Sequence, residues 1–473
     1  MRILLINPPY STPFIREGRC QSPQSLRKNS VPQMTLAYLA GVLERAGHEI
    51  IVFDCIASEI RDGELFAKIG SFGPVLAFVN TTTPTISSDL QFIRGLKARY
   101  PTIFTVAFGA HVTALHKVVM ESSSFLDAVI RNEPEFAAVE IARWLNNGPA
   151  SDEIAGCTMR RDGEVRVFAD RNFEKDLDAL GFPAWQYLPL NQYVHPIFNK
   201  PYLMVNTGRG CRHRCIFCVA PKYYGRSVRH RSPESVVREI RRNVEEFGVR
   251  HFWFYADDFT DSPSYVKELC REIIAAELRI VWWSNTRGDK LDKEMFLLMK
   301  RSGCFMLSIG GESGSQDLLR RMRKGIGRED IVKTVTLLRN VGINSLVYFL
   351  IGLPGETKET IRESIRFAQK ANSDYVEFYP ATPYPGTEFF ELAAREGLIN
   401  ESHWENYQYS DFVIDIPGLD KQTLKTTLSK AYFRFYLRPR TLILILKRAR
   451  HPSEFIRLVN FGWGYFRKLL AKA

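Results

Sequence analysis

Three cysteines stand at a spacing that can hold a metal cluster. The stretch runs Asn206-Thr207-Gly208-Arg209-Gly210-Cys211-Arg212-His213-Arg214-Cys215-Ile216-Phe217-Cys218. Thiolate sulfur is a soft ligand that suits iron–sulfur clusters or zinc. Cubane iron–sulfur clusters are usually held by four thiolates, so three leave one iron open to an external ligand. Arg209, Arg212 and Arg214 would lower thiolate pKa and offset the negative charge of a thiolate-bound cluster. The competing reading is a Cys3His zinc knuckle that uses His213. Crowding counts against it, because His213 sits between the other ligands on one short loop. Structural zinc sites more often pair two separated ligand elements. Cys270 and Cys304 fall in apolar helix and strand patterns and read as core. Cys20, Cys55 and Cys157 are isolated.

Such a loop needs a scaffold. The chain has 473 residues, enough for two or three domains at roughly 100–200 residues each. A hydrophobic fraction of 45% and a charged fraction of 25% are those of an ordinary globular protein. Eight cysteines in this length do not make a disulfide framework. The apolar start Ile3-Leu4-Leu5-Ile6 is cut off by Asn7-Pro8-Pro9, so it does not read as a secretory signal. No apolar run approaches the roughly 20 residues that span a bilayer. These features predict a cytoplasmic protein with reduced thiols.

Residues 1–150 alternate strand and helix signals. Residues 3–6, 50–53, 75–79, 103–107 and 128–130 read as short buried strands, with amphipathic stretches at 36–45, 86–99 and 136–145. That alternation predicts an α/β domain with a parallel sheet of Rossmann or flavodoxin type, covered on both faces. Such sheets bind ligands beyond the strand carboxyl ends. Residues 151–199 read as a linker, with a small hairpin turning at Asp162-Gly163 and an extended part marked by Pro183, Pro189 and Pro196.

A second alternating series fills residues 200–400. Its strands are expected at 202–206, 251–255, 279–284, 304–309, 345–351 and 375–379. The first helix is well signalled: Ser232 can cap it, Pro233 suits its first position, and Gly248 suits its end. Six strand–helix units predict a partial TIM-like (β/α)6 barrel; an open doubly wound sheet has the same pattern. Residues 401–473 read as a helical carboxyl-terminal extension.

With the triplet placed after the first strand of this series, a family resemblance emerges. Cys-x3-Cys-x2-Cys, with Phe217 before the last cysteine, resembles the signature of the radical S-adenosylmethionine (radical SAM) enzymes, and the likeness runs over residues 200–390. It implies a [4Fe–4S] cluster on Cys211, Cys215 and Cys218, with S-adenosylmethionine at the open iron. Asp257-Asp258-Phe259-Thr260 ends the second strand, where the family contacts the methionine amino group. Two carboxylates suit an ammonium; a helix-capping acid is the plain alternative. Gly310-Gly311-Glu312-Ser313-Gly314 resembles the family's G-x-E-S segment, which contacts ribose or carboxylate, through Glu312 and Ser313. Leu350 through Glu356 resembles the fifth-strand segment whose backbone meets adenine, at Ile351 and Gly352; Phe349 stands where that pattern has Gly. Tyr384-Pro385-Gly386-Thr387 matches the sixth-strand turn.

The first domain resembles the cobalamin-binding domain attached to one subgroup of these enzymes. Asn7-Pro8-Pro9 ends its first strand. Pro32 through Ala40, with Leu36, followed by Gly47-His48-Glu49, resembles the subgroup's P-x-G-L-x-Y-L-A segment, with Thr35 in place of Gly. Thr81-Thr82-Thr83 and Gly109-Ala110-His111-Val112-Thr113 end the third and fourth strands, and Asn132-Glu133-Pro134-Glu135 resembles a G-E-x-E turn without its Gly. The resemblance implies cobalamin contacts at Asn7, Pro8, Pro9, Leu36, Thr81, Thr82, Thr83, Gly109, His111, Thr113 and Glu133. The D-x-H-x-x-G motif is absent. His111 reads either as an axial cobalt ligand or, preferred here, as a loop histidine at the ligand's periphery. A parallel domain of this kind can equally hold another nucleotide-like ligand.

The net charge is +12, and its location matters more than its size. Residues 430–473 hold eleven Lys or Arg against Glu454 alone, so the rest of the chain is nearly neutral. Nucleic acid is therefore not an expected partner of the whole surface. Aromatics and cations mixed in the tail suit a peripheral membrane contact. A helical cap on the barrel is the alternative, and RNA stacking the third choice.

The resemblance implies reductive cleavage of S-adenosylmethionine to a 5′-deoxyadenosyl radical, with an electron from a flavodoxin- or ferredoxin-class donor. C-methylation of an unactivated carbon, on a small and lipid-like substrate, is the leading expectation. Rearrangement, cyclisation or oxidation without methyl transfer is the runner-up, and a non-catalytic iron–sulfur or cobalamin sensor the third.

Overall fold

Runs of β-branched and aliphatic residues, each closed by a polar or glycine turn, build two sheets. The computed structural model describes residues 1–12, 14–17, 30–60, 62–148, 153–399, 403–408, 411–416, 418–439, 441 and 443. The first sheet holds β1 (Arg2–Asn7), β2 (Glu49–Asp54), β3 (Leu76–Asn80), β4 (Phe104–Phe108) and β5 (Ala128–Ile130) in the order β2-β1-β3-β4-β5, all parallel. That is the flavodoxin-like order, with its switch point between β1 and β3. The hairpin expected in the linker is present as β6 (Cys157–Arg161) and β7 (Glu164–Val167). It adds two antiparallel strands to this sheet, through β5.

The second sheet begins with β8 (Val194–His195), antiparallel to β9 (Lys200–Asn206). A two-strand ribbon follows, β10 (Gly208–Arg209) with β11 (Arg229–His230). Then come β12 (His251–Tyr255), β13 (Val281–Thr286), β14 (Cys304–Glu312), β15 (Asn344–Ile351) and β16 (Tyr375–Pro380). The six parallel strands β9 and β12–β16 neighbour one another in chain order and form a curled half-barrel. The helix Pro233–Phe247 forms as its caps predict: Ser232 Oγ accepts from Ser235 N at 3.2 Å, and Gly248 closes it at φ +67°.

Alternation along these strands separates two environments. Phe252, Phe254, Trp282, Val347 and Phe378 pack with the helices in the main core. Tyr202, Trp253, Trp283, Met306, Leu346 and Tyr348 gather on the other, concave face. Phe198 and His195 close its base against Trp283.

The outer edge of β16 is covered by the helix Lys421–Tyr436. Tyr432 Oη receives Phe378 N (2.9 Å) and donates to Phe378 O (3.1 Å); Tyr436 does the same for Val376 (3.2 and 2.8 Å). An unpaired strand edge is thus satisfied by two hydroxyls. The aromatics at the start of the basic tail, expected at a membrane surface, are here part of the barrel. Phe461, Trp463, Tyr465 and Phe466 lie outside the described residues. No helix among the described residues is long and apolar enough to cross a membrane.

Candidate active site

The cysteine loop runs between β10 and β11, at the carboxyl end of the half-barrel. Gly210 reaches the left-handed region at φ +90°, where a Cβ would strike the carbonyl of Ser227, so glycine is required there. Its N–H donates to Asp257 Oδ2 at 3.0 Å, and Cys211 N donates to Gly225 O at 3.1 Å. Cys211 is buried, while Cys215 and Cys218 are half-buried; none of the three is in a disulfide. Arg287, just beyond β13, places Nη1 3.5 Å from Cys215 Sγ, and its other terminal nitrogen binds the carbonyl of Lys324. His213 Nε2 lies 3.6 Å from Asp258 Oδ2, so the imidazole faces a carboxylate. Three thiols beside a guanidinium fit a negatively charged iron–sulfur cluster better than a Cys3His zinc site.

Around this loop the strand ends form one contact network. Asp258 Oδ1 accepts from Thr260 Oγ1 and from Arg287 N, each at 3.4 Å. Burial raises its carboxyl pKa, but the nearby His213 imidazole and the Arg287 charge outweigh that and hold it below the usual range. An anionic Asp258 is what an ammonium group requires. Glu312 sits at a bulge in β14 with φ +56°, and Lys324 Nζ binds its Oε1 at 2.8 Å. Cys215, Asp257, Asp258 and Arg287 are thus linked directly or through Gly210, and Glu312 joins through Lys324. Arg287 and Lys324 were not among the residues expected from sequence; a lone cation after a strand carries no spacing signal.

Four expected S-adenosylmethionine contacts make local contacts outside this network. Ser313 Oγ lies 3.3 Å from Ser364 Oγ and accepts from Ser315 N at 3.1 Å, which ties the strand end to the helix Lys358–Ala371. The Ile351 side chain is buried on the helix side, and its carbonyl accepts from Ala381 N at 2.7 Å. Gly352, at φ +100°, and Leu353 donate their N–H groups to Glu356 Oε2 at 2.5 and 3.1 Å. Burial pushes the Glu356 carboxyl up to about 7. Phe217 packs against the main core. At Ile351 and Gly352 only backbone is left to meet a ligand.

A narrow crevice opens between the two sheets. Glu17, Thr35, Thr81 and Gly109 line one side; Val219 and Tyr223, directly after the cysteines, line the other. Thr81 Oγ1 donates to Phe108 O at 2.8 Å, and Thr82 shares a 2.7 Å hydroxyl contact with Thr85. Thr83 is buried beside them. Gly109 has φ +128° and presses against the Thr81 carbonyl, leaving no room for a Cβ. Glu17 is buried; this pushes its carboxyl up to about 7, although Thr35 N and Oγ1 donate to it at 3.1 and 2.8 Å. A hydroxyl-rich crevice at the ends of β3 and β4, next to the switch point, fits an amide-rimmed ligand such as a corrin.

The other expected cobalamin contacts divide. Just after β1, Pro8 is buried and Pro9 half-buried. Thr113 Oγ1 donates to Gly109 O at 2.8 Å and accepts from Asn132 N at 2.9 Å, bracing the β4 turn. His111 is buried at the start of the helix Ala110–Ser122, edge-on to Trp404 at 4.9 Å. Burial pulls its pKa down to about 3, so the imidazole is neutral. Leu36 is wholly buried in the core. Asn7 Nδ2 donates to Asp54 Oδ1 at 2.7 Å, tying β1 to β2. Glu133 is engaged across the domain boundary: Arg229 grips it at 2.6 and 3.1 Å, and Arg209 approaches at 3.6 Å. Arg209 in turn holds Glu135 at 2.5 and 3.2 Å. Sequence alone offers no sign of this clamp, since its partners lie 74 and 96 residues apart.

Comparison with known proteins agrees with both halves. A B12 binding domain model matches residues 26–142, and a Radical SAM superfamily model matches residues 205–368, together more than half of the chain. A Pyrococcus horikoshii protein named an uncharacterized methyltransferase is 29% identical, over 95% of this chain and 97% of its own. The anaerobic magnesium-protoporphyrin IX monomethyl ester cyclase of Rubrivivax gelatinosus is 27% identical, over 92% and 78%. The solved structure of OxsB, a cobalamin-dependent S-adenosylmethionine radical enzyme with aqua-cobalamin and S-adenosylmethionine bound, superposes with TM-score 0.72 at 15% identity. It covers 99% of this chain and 71% of that one, and shows the shared fold. Radical SAM enzymes need a reductant and act on small-molecule substrates. The chain belongs to the radical SAM enzymes that carry a cobalamin-binding domain, and its cofactors are a [4Fe–4S] cluster, S-adenosylmethionine and cobalamin.

Proposed function

We propose that this enzyme methylates an unactivated carbon of a small-molecule substrate. One observation carries the proposal: Val219, Ala220, Tyr223 and Tyr224, which directly follow the cysteine loop, form a wall of the crevice in the first domain. The two cofactor sites therefore share a boundary. The matched relative of P. horikoshii, named a methyltransferase along nearly its whole length, supports the same reading.

In this reading Cys211, Cys215 and Cys218 hold the cluster. Asp257, Asp258, Glu312 and Ser313, the backbone at Ile351 and Gly352, and the ring of Phe217 bind S-adenosylmethionine. Cobalamin lies against Pro8, Pro9, Thr81, Thr82, Thr83, Gly109, His111 and Thr113, with Asn7, Leu36 and Glu133 shaping its site from behind. When bound, the cluster and S-adenosylmethionine supply a 5′-deoxyadenosyl radical, and cobalamin supplies the methyl group. The protein's own part is orientation and charge. Asp258 stays anionic for an ammonium, Arg287 sets positive charge beside the Cys215 sulfur, and Tyr223 and Val219 screen the crevice from water. A flavodoxin- or ferredoxin-class protein supplies the electron in the cytoplasm. Residues 430–473, largely outside the described residues, add contact with an anionic membrane surface.

The test is product mass spectrometry with methyl-labelled S-adenosylmethionine, on anaerobically reconstituted enzyme and candidate substrates. Label in the product is expected. Ring closure or oxidation without label would favour the second reading, which the match to the R. gelatinosus cyclase supports.

A further inference from the structure

We propose that the concave face of the half-barrel selects a substrate bearing a cationic nitrogen, and that Glu377 is the residue that selects it. This rests on the reading above only in placing the substrate inside the half-barrel.

Strand alternation fixes where Glu377 lies. Its neighbours Val376 and Phe378 belong to the helix-side core. Glu377 is in register with Tyr348, a member of the concave aromatic cluster, and Tyr348 is in register with Gly310 at the end of β14. Glu377 therefore sits on the inner wall, level with the strand-end network. The rings of Tyr348 and Tyr379 stand 5.9 Å apart, tilted at 43°, on the same wall.

The charge pattern there is unbalanced. Glu312, at the end of β14, is neutralised by Lys324, and Asp258 lies beside Arg287. Glu377 makes no ion pair among the described residues; it receives a hydrogen bond from the Tyr379 hydroxyl. Burial of this half-enclosed carboxyl pushes its pKa above the ordinary range. An ionised carboxylate among aromatic faces is costly unless a cation joins it. The same faces attract cations directly. A purely hydrocarbon substrate would leave the carboxyl unmatched. An amine on a ring-bearing or apolar body satisfies it.

The test uses anaerobically reconstituted holoenzyme and three probes of one shape: phenethylamine, 2-phenylethanol and 3-phenylpropionate. Affinities are read by ligand-observed NMR titration. The amine is expected to bind about tenfold more tightly than the alcohol, with the carboxylate weakest. Glu377→Gln is expected to erase the amine's advantage. Equal binding of amine and alcohol to the unaltered chain, or an amine preference that survives Glu377→Gln, overturns the proposal. The three-probe comparison decides it even if the variant fails to fold. Methyl transfer is not read in this assay, so absence of label in the separate product experiment counts against the functional reading and leaves the pocket assignment standing.

Discussion

At the end of the first sheet, hydroxyls committed to their own backbone predominate, and Arg16, a cation lining the crevice, is paired with the buried Asp89. Thr81 bonds Phe108 O, Thr113 bonds Gly109 O, and Gly109 itself is pressed against a carbonyl. At the end of the second sheet, charge dominates: Asp258 with His213 and Arg287, Glu312 with Lys324, and Arg287 against a cysteine sulfur. The first edge offers shape and the second offers ligands. A large neutral macrocycle with peripheral amides needs the former. A thiolate-bound cluster and a zwitterionic amino acid need the latter.

If that division holds, the two edges fail separately. Cys211→Ala is expected to have the largest effect: cluster iron is lost and 5′-deoxyadenosine formation falls to background. Cobalamin, measured by absorbance after desalting, should remain bound. Joint loss of both cofactors would show that the crevice depends on the cluster loop and break the comparison.

The next largest effect tests the clamp between the two regions. Glu135→Gln leaves the buried Arg209 guanidinium without its strongest partner, and removal of one member of a buried pair costs about 3–5 kcal/mol. A lower urea midpoint is expected. Cobalamin and iron retention should fall together, because Arg209 lies two residues before Cys211 while Glu135 starts a helix of the first domain. Unchanged stability would mean that the Arg229–Glu133 pair and apolar contacts hold the domains without it.

What the sequence discloses follows the same divide. Local chemistry was legible: the helix after Ser232, strand 251–255 and the cysteine spacing all depend on neighbours within a few residues. Asp258 was legible as a strand-end acid because its position after β12 is itself local. The Arg287 contact with Cys215 joins residues 72 apart, and Tyr432 reaches Phe378 across 54. No periodicity or spacing encodes such pairs. A basic aromatic segment reads as membrane-seeking until the strand edge it covers is known. Ser313 and Glu133 show the converse: a residue can sit at the expected motif position while its side chain is committed to a helix or to another domain.

The smallest expected effect concerns Glu17, a carboxyl that lines the crevice of the first edge. Its ordinary value is 4.5, and burial raises it to about 7 in the folded chain. The folded state therefore keeps a proton that the unfolded chain releases above about 4.5. Its contribution to stability is full below pH 4.5, declines as pH rises through the window, and is gone above pH 7. The change across that window is on the order of 3 kcal/mol. Glu356, also raised to about 7, and Asp89, raised to about 6, add slopes of the same sign. The unaltered chain alone therefore does not isolate Glu17. Glu17→Gln does, because the amide stays neutral throughout. Urea midpoints at pH 5 and pH 7.5 should fall less steeply in the variant than in the unaltered chain. If the two slopes match, Glu17 is ionised in the crevice, and the first edge is not the neutral surface that its threonines suggest.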